Sequence, residues 1–406
     1  MKNHTVIELK DRESIADPMM DLLRLGAKKL VKEAVLAEVE DLLSQYADQK
    51  TKSGHAGVVL NGSHPERLIQ TGIGSMSVKI PKVRSRLGDA LTFRSALVPP
   101  YLRKTASLEA GIPWLYLKGI SSGEMDEALK VLLGPGASGL STSTVSRLKL
   151  AWAEDYRKWR ARDLSKDRWV YIWADGIYSG LRGEREKLCA LVIIGVNSQG
   201  EKHFLGIEDG VRESTQSWRE VLLKLKSQGM NNPKLAVGDG AMGFWSALEE
   251  IYPETAQQRC WVHKTANVLN ALPKSLQAKG KQAVEEIYMS DTRKNAVYAF
   301  DLFVKTYEAK YPKATHCLQK DREELLAFYD FPALHWQSIR TSNPIESTFG
   351  TIRHRTKRSK GCLSREGMLH MMFKLSQCAE RKWRKLRGFN TLTKVIQGVQ
   401  FKDGLR

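Results

Sequence analysis

The sequence predicts an α/β protein: a mixed sheet with helices on both faces, interrupted by an all-α insertion and preceded by a mainly helical region. Three observations carry that expectation. RWVYIWADG, KLCALVIIGVN and EKHFLGIEDG are successive apolar segments split by charged turns, the pattern of an antiparallel meander. The helix TQSWREVLLKLKSQGM, the short strand KLAVGDG, the helix GFWSALEEIY and a strand around QQRCWV then alternate, which adds strands and covering helices to the same sheet. Between Leu269 and Trp336 the strand signal vanishes, and KGKQAVEEIYMS and NAVYAFDLFVKTYEAKYP keep only helical character.

Ahead of the meander, residues 18–46 place Leu22, Leu25, Val35, Val39 and Leu42 at helical spacing, an amphipathic helix suited to packing or self-association. A connector rich in Gly, Ser and His, TKSGHAGVVLNGSHPE, leads to SMSVKIPKVRSR at 75–86, whose alternation predicts a strand with a basic exposed end. Two further helices, capped near Ser122 and Ser141, flank a Gly and Pro punctuated turn. They read either as a plain helical hairpin or as a helix-turn-helix with a long turn, in which case Ser143, Thr144, Ser146 and Arg147 face the bases. The expected segments are 1–60, 61–165, 166–268, 269–336, 337–390 and 391–406.

A chain of 406 residues with 42% apolar content has enough material for several packed cores, and its formal charge of +19 points to a polyanionic partner, nucleic acid before an anionic membrane. The charged N-terminus MKNHTVIELKDRE does not read as a signal peptide, and the longest apolar run, ALVIIGV, is too short to span a bilayer. Five cysteines, odd in number and scattered, are not a disulfide framework. A cytoplasmic, nucleoid-associated protein without a membrane partner is expected.

Candidate chemistry centres on three acids. Asp175 in VYIWADGIY and Asp239 in LAVGDGA each end an apolar strand, which holds a carboxylate rigidly at a sheet rim. Each is followed by glycine, Gly176 and Gly240, leaving room for a close approach to the backbone, although an Asp-Gly turn has the same signature. Glu346 opens a helix in S-N-P-I-E, where Asn343 as N-cap and Pro344 at the first helical position make it a capping-box acid. Capping does not account for the cations beyond it: Arg353 lies two turns on along the same face, with Arg355, Lys357, Arg358 and Lys360 behind it. Acid beside cations suits a site where divalent metal meets a phosphate backbone. Three carboxylates suffice for two Mg²⁺ or Mn²⁺ ions about 3.5–4 Å apart to drive in-line phosphoryl transfer with no protein nucleophile. No P-loop is present, so no nucleotide cofactor is expected; the lone GIG is no dinucleotide fingerprint, and no G-x-S-x-G elbow occurs.

The strings ADGIY, VGDGAMGFWSALEEIYP, QQRCWVHKTANV and IRTSNPIESTFGTIRHRT resemble those of the mutator-type transposases of bacterial insertion sequences, over roughly residues 60–390. The resemblance implies an RNase H-like catalytic core in which Asp175, Asp239 and Glu346 match the family's DDE triad and the long second gap matches its helical insertion. It also implies that Arg353 matches the basic residue after the glutamate, Cys260 and His263 the C-x-x-H signature, and Trp336 an aromatic just before the catalytic helix. A zinc site is not expected at Cys260 and His263, because no second ligand pair accompanies them. His263 then either hydrogen-bonds near the active site or contacts DNA. Trp336 is either core or a stacking platform for an unpaired base. The basic tail KLSQCAERKWRKLRG reads as a solvated or phosphate-contacting helix.

The expected activity is that of a DNA transposase that binds terminal inverted repeats as a homo-oligomer, a dimer on paired ends, hydrolyses the phosphodiester at the element's ends and joins the 3′ hydroxyl to target DNA. Two alternatives stay open: a nuclease of the same fold, such as a junction resolvase that cuts without joining, and a catalytically silent DNA-binding regulator.

Overall fold

The structure, a computed structural model, describes residues 18–121, 124–133, 137, 142–181, 187–210, 212–240, 242–359 and 364–405, with the side chains of 142, 143, 242, 348, 351 and 356–359 left undescribed. The chain divides into two compact units, 1–148 and 149–406.

The first unit is less helical than expected. Helix α1 (Pro18–Gln45) packs on two small antiparallel sheets, one pairing β1 (Val58–Ser63) with β4 (Pro81–Ser85), the other β2 (Arg67–Thr71) with β3 (Gly74–Val78). The single strand expected over 75–86 is therefore two, and Pro81, which has no N–H to give a ladder, opens the second. Val35 and Val39, one helical turn apart, are buried against Val58, Ile69, Val78, Ile80, Val83, Phe93 and Val98. Leu22 and Leu25 instead stay exposed, at 69% and 68%. In that half of α1 the contacts with the β2–β3 hairpin are polar: Arg24 Nε donates to Ile73 O (2.7 Å) and Lys28 Nζ to Ser77 Oγ (2.6 Å). Helices α2 (Ala106–Lys118), α3 (Met125–Leu133) and α4 (Thr142–Arg160) come next, and α3 buries Met125, Leu129 and Leu133 at i, i+4 and i+8. The caps expected near Ser122 and Ser141 lie outside the described residues. The division between units falls inside α4, between Leu148 and Lys149.

The second unit holds a five-stranded mixed sheet. Strands β5 (Trp169–Ser179), β6 (Leu188–Asn197) and β7 (Lys202–Gly210) form the meander; β8 (Leu235–Gly238) and β9 (Ala256–Arg259) add in parallel on the other side of β5, giving the order β7-β6-β5-β8-β9. Helix α5 (Thr215–Ser227) connects β7 to β8, and α6 (Met242–Ile251) connects β8 to β9. The period of two along a strand assigns the faces. Ile172, Ala174 and Ala236 pack with Trp218, Leu222, Phe244 and Leu248 of α5 and α6. Tyr171, Trp173 and Asp175 therefore share the opposite face.

That opposite face receives the chain as it returns from the insertion. Helix α7 (Trp261–Asn270) leads into an all-α segment of α8 (Lys274–Met289), α9 (Arg293–Tyr307), α10 (Pro312–Gln319) and α11 (Arg322–Leu326), after which α12 (Trp336–Ile339), α13 (Asn343–Ser359), α14 (Arg365–Glu380) and α15 (Leu392–Ile396) come back to the sheet. Helix α13 packs on β5 and α14 on β7. The indole N–H of Trp173 is shared between the carbonyls of Ser338 (3.1 Å) and Thr341 (3.2 Å), pinning the approach to α13 against β5. The insertion is tied down by a buried ion pair between Lys264 and Asp321. Among the described residues no helix is long and apolar enough to cross a membrane, and Cys189, Cys260, Cys317 and Cys378 are free thiols.

Candidate active site

Strands β5 and β8 run parallel with Ala174 opposite Gly238, so the next residue on each, Asp175 and Asp239, are lateral neighbours. A third acid joins them. Glu213, just ahead of the α5 N-cap Ser214, brings its carboxylate so close that ligand oxygens of Asp175, Glu213 and Asp239 lie within 4.8 Å of one another. The space it uses is the missing side chain of Gly176: a Cβ there would lie 2.5 Å from the Glu213 carboxyl carbon. The room expected beside Gly176 is thus filled by the protein's own acid, whereas Gly240 has open space around it.

Burial, then the neighbouring Asp239 charge, push the Asp175 carboxyl up to about 7, opposed by His263 and by the Gly176 N–H that donates to Asp175 Oδ1 (2.8 Å). Glu213 is also raised, by burial and then by Asp239. Two acids disfavoured as anions beside a third form a concentration of hard oxygen donors that a divalent cation would relieve.

Glu346 stands in a second group. A donor atom from each of Cys260, His263 and Glu346 lies within 4.8 Å of the others. Cys260 follows β9, and its N–H donates to Gly238 O (2.8 Å), next to Asp239. His263, three residues on in α7, places Nδ1 3.8 Å from Glu346 Oε1. Its imidazole is raised to about 9, chiefly through its hydrogen bond to Cys260, against burial and with help from Asp175 and Glu346. His263 is therefore the shared neighbour of both groups. Glu346 makes a third donor beside the Cys-x-x-His pair, and among the described residues no fourth His, Cys, Asp or Glu joins them.

The start of α13 differs from the expected capping box by one residue. Ser342 O accepts from the N–H groups of both Ile345 (2.9 Å) and Glu346 (3.0 Å), which makes Ser342 the N-cap, with Asn343 already helical. Its hydroxyl donates to Glu346 Oε1 at 2.6 Å.

The other expected residues scatter. Arg353 is exposed, its guanidinium 5.7 Å from the Phe349 ring. Arg355, two residues further round the helix, is 5% exposed and turned into the protein, so it does not belong to an exposed phosphate-facing row. Lys357 and Arg358 lie on α13 with undescribed side chains, and Lys360 falls outside the described residues. In the first turns of α4, Thr144 is half-buried, Ser146 and Arg147 are exposed, and the side chain of Ser143 is undescribed. Trp336 packs edge-on against Phe328 and Tyr329 and donates its indole N–H to Phe331 O (2.8 Å). Sequence reading missed Glu213 and Ser342. The first looks like an ordinary acid before a helix, and the second is overshadowed by the Asn-Pro after it.

A family model described as transposase, Mutator family, matches residues 1–385. The chain is 51% identical over 282 residues to the transposase for insertion sequence element IST2 of Acidithiobacillus ferrooxidans, covering 69% of this chain and 95% of that protein. It is 46% identical over 293 residues to the transposase for insertion sequence element IS6120 of Mycolicibacterium smegmatis, covering 72% and 90%. With the transposase for insertion sequence element IS905 of Lactococcus lactis it shares 30% identity over 339 residues, 83% of this chain and 84% of the other. A sheet that sets two aspartates side by side, and relatives of this extent and identity, place the chain in the Mutator family of transposases.

Proposed function

We propose that this protein cleaves DNA at the ends of an insertion sequence and joins the freed 3′ hydroxyl to target DNA, using an RNase H-like core in which Asp175, Asp239 and Glu346 are the catalytic acids. The observation that carries the reading is the lateral pairing of Asp175 and Asp239 at neighbouring strands, on the face where α13 packs. The donors at the sheet rim fit a hard divalent cation, because Asp175, Asp239 and Glu213 are carboxylates crowded enough to raise Asp175, while Glu346 stands in the adjoining group with Cys260 and His263. Asp175, Asp239 and Glu346 would hold Mg²⁺ or Mn²⁺, two ions per site, which when bound supply charge neutralisation and an activated oxygen nucleophile. The strands fix where the two aspartates stand, and the anchoring of residues 338–341 by Trp173 fixes where α13 begins. His263, held cationic by its surroundings at neutral pH, supports a phosphate at the rim. Arg353, with Lys357, Arg358 and Lys360 further along, supplies charge toward the DNA backbone. In the first unit, Ser143, Thr144, Ser146 and Arg147 at the head of α4 are proposed to read terminal inverted repeats, with two copies of the chain on paired ends.

The test separates joining from cutting. Pre-cleaved end DNA incubated with a supercoiled plasmid and Mg²⁺ should give covalently joined product, which Glu346→Gln abolishes while still binding ends. Cleavage of uncut ends with no joined product would move the protein to the resolvase-like reading.

A further inference from the structure

We infer that Ser342 is a positioning residue for Glu346, and that the Cys-x-x-His pair serves to hold Ser342 in place. The inference rests on the proposed function, in which Glu346 is one of the reacting acids. A serine at an N-cap ordinarily turns its oxygen onto the N–H of the second or third helical residue. Here the hydroxyl goes to the acid one turn along, at a distance typical of an O–H donor on a carboxylate. Glu346 has three side-chain torsions, and a fixed donor on one oxygen removes most of the freedom they would give the carboxylate.

Ser342 is itself fully buried and held from two sides. Its N–H donates to Cys260 Sγ (3.2 Å), its Oγ lies 3.1 Å from the same sulfur, and His263 Nδ1 is 3.3 Å from that Oγ. Cys260 is anchored in turn through its N–H to Gly238 O, and the N–H of Trp261 donates to Arg340 O (3.0 Å). A continuous set of contacts thus runs from the residue before Asp239, through Cys260 and Ser342, to Glu346. It spans the whole insertion in sequence, since Cys260 and Ser342 are 82 residues apart. Each position has the side chain its contacts require: a small thiol fits where a single acceptor must meet a buried backbone N–H, and a hydroxyl is the shortest donor that reaches the acid.

The experiment uses the full chain bound to end DNA. In single-turnover cleavage, Ser342→Ala should be about ten- to a hundredfold slower, the range expected for losing a hydrogen bond to a charged group. Its end-DNA affinity and melting temperature should stay near wild type, Ser342→Thr should recover most of the rate, and the Mn²⁺ concentration that half-saturates the thermal shift should rise in the alanine variant. Cys260→Ala should slow cleavage in the same direction without weakening end binding, which keeps the inference testable if Ser342→Ala does not fold. A wild-type rate in either alanine variant overturns it. So does a rate loss in Ser342→Ala that Thr fails to restore and that tracks a fall in melting temperature. Stoichiometric zinc in the purified protein, lost in Cys260→Ala, would overturn it in favour of a metal site. Glu346→Gln run alongside distinguishes the two levels: its retention of cleavage removes Glu346 from the reaction, whereas its inactivity beside an unaffected Ser342→Ala removes only the positioning role.

Discussion

Trp173 on β5 donates its indole N–H to the carbonyl oxygen of Thr341 at 3.2 Å, a bond shared with Ser338, and it does so two residues before Asp175 on the same face of the strand. One side chain therefore registers the approach to α13 against the strand that carries the first aspartate. Trp173→Phe keeps most of the ring volume and leaves those carbonyls without the donor. Chemical denaturation should show a loss of about 1–3 kcal/mol, and cleavage should slow by more than end binding weakens. Equal losses in rate and affinity would mean that the indole supports the fold alone.

Two glycines near Glu213 should respond differently to the same methyl group. At Gly243 an added Cβ would lie 2.4 Å from Glu213 O and 2.7 Å from both Ser214 C and Thr215 N, backbone atoms that have nowhere to go. Gly243→Ala should lose about 1–3 kcal/mol in denaturant melts. At Gly176 the obstacle is the movable end of Glu213, so Gly176→Ala should melt close to wild type while the thermal shift produced by Mn²⁺ changes.

Arg353→Ala tests the cationic face of α13. If this exposed guanidinium neutralises a phosphate, the slope of log affinity against log salt should flatten by about one unit. An unchanged slope with a lowered melting temperature would assign Arg353 to its packing on Phe349.

A pH dependence is expected far from the acids. His203 Nδ1 lies 2.7 Å from Glu380 Oε1, linking β7 to α14, and this hydrogen bond raises the imidazole above its ordinary value of about 6.5. A raised folded-state value means that the stabilisation is fully present below about 6.5 and is lost as pH climbs through the raised value. The difference in melting temperature between wild type and Glu380→Gln should therefore be larger just below about 6.5 and shrink in alkaline buffer. A difference independent of pH would show that the pair contributes only as a neutral hydrogen bond.

What could be read from the chain alone was what local pattern dictates. The meander of β5, β6 and β7 announces itself because its apolar runs are long and nearly continuous, as strands buried on both faces require. The insertion is equally visible, as an interval with helical period and no strand. The first unit was harder: its strands are five or six residues long, too short for alternation to stand out, and Pro81 interrupts the one that was seen. Leu22 and Leu25 continue the helical period of Val35 and Val39, yet periodicity cannot tell how far along a helix its partner extends. Glu213 and Ser342 are invisible for another reason. Each gains its meaning from a residue distant in the chain, Gly176 in one case and Cys260 in the other.

Asp321 decides whether the helical insertion is an accessory. It pairs with Lys264, 4% exposed, and lies 3.7 Å from Nε of Arg259, 6% exposed, whose guanidinium also rests on Trp245 and donates to the carbonyl of Asp239. Neutralising Asp321 within the intact chain would leave two cations unpaired in a dry interior, one of them touching a proposed acid of the reaction, and uncompensated buried charge is heavily penalised. A shortened chain lacking those helices would lose both the counter-charge and the cover over the end of β9 and the start of α7.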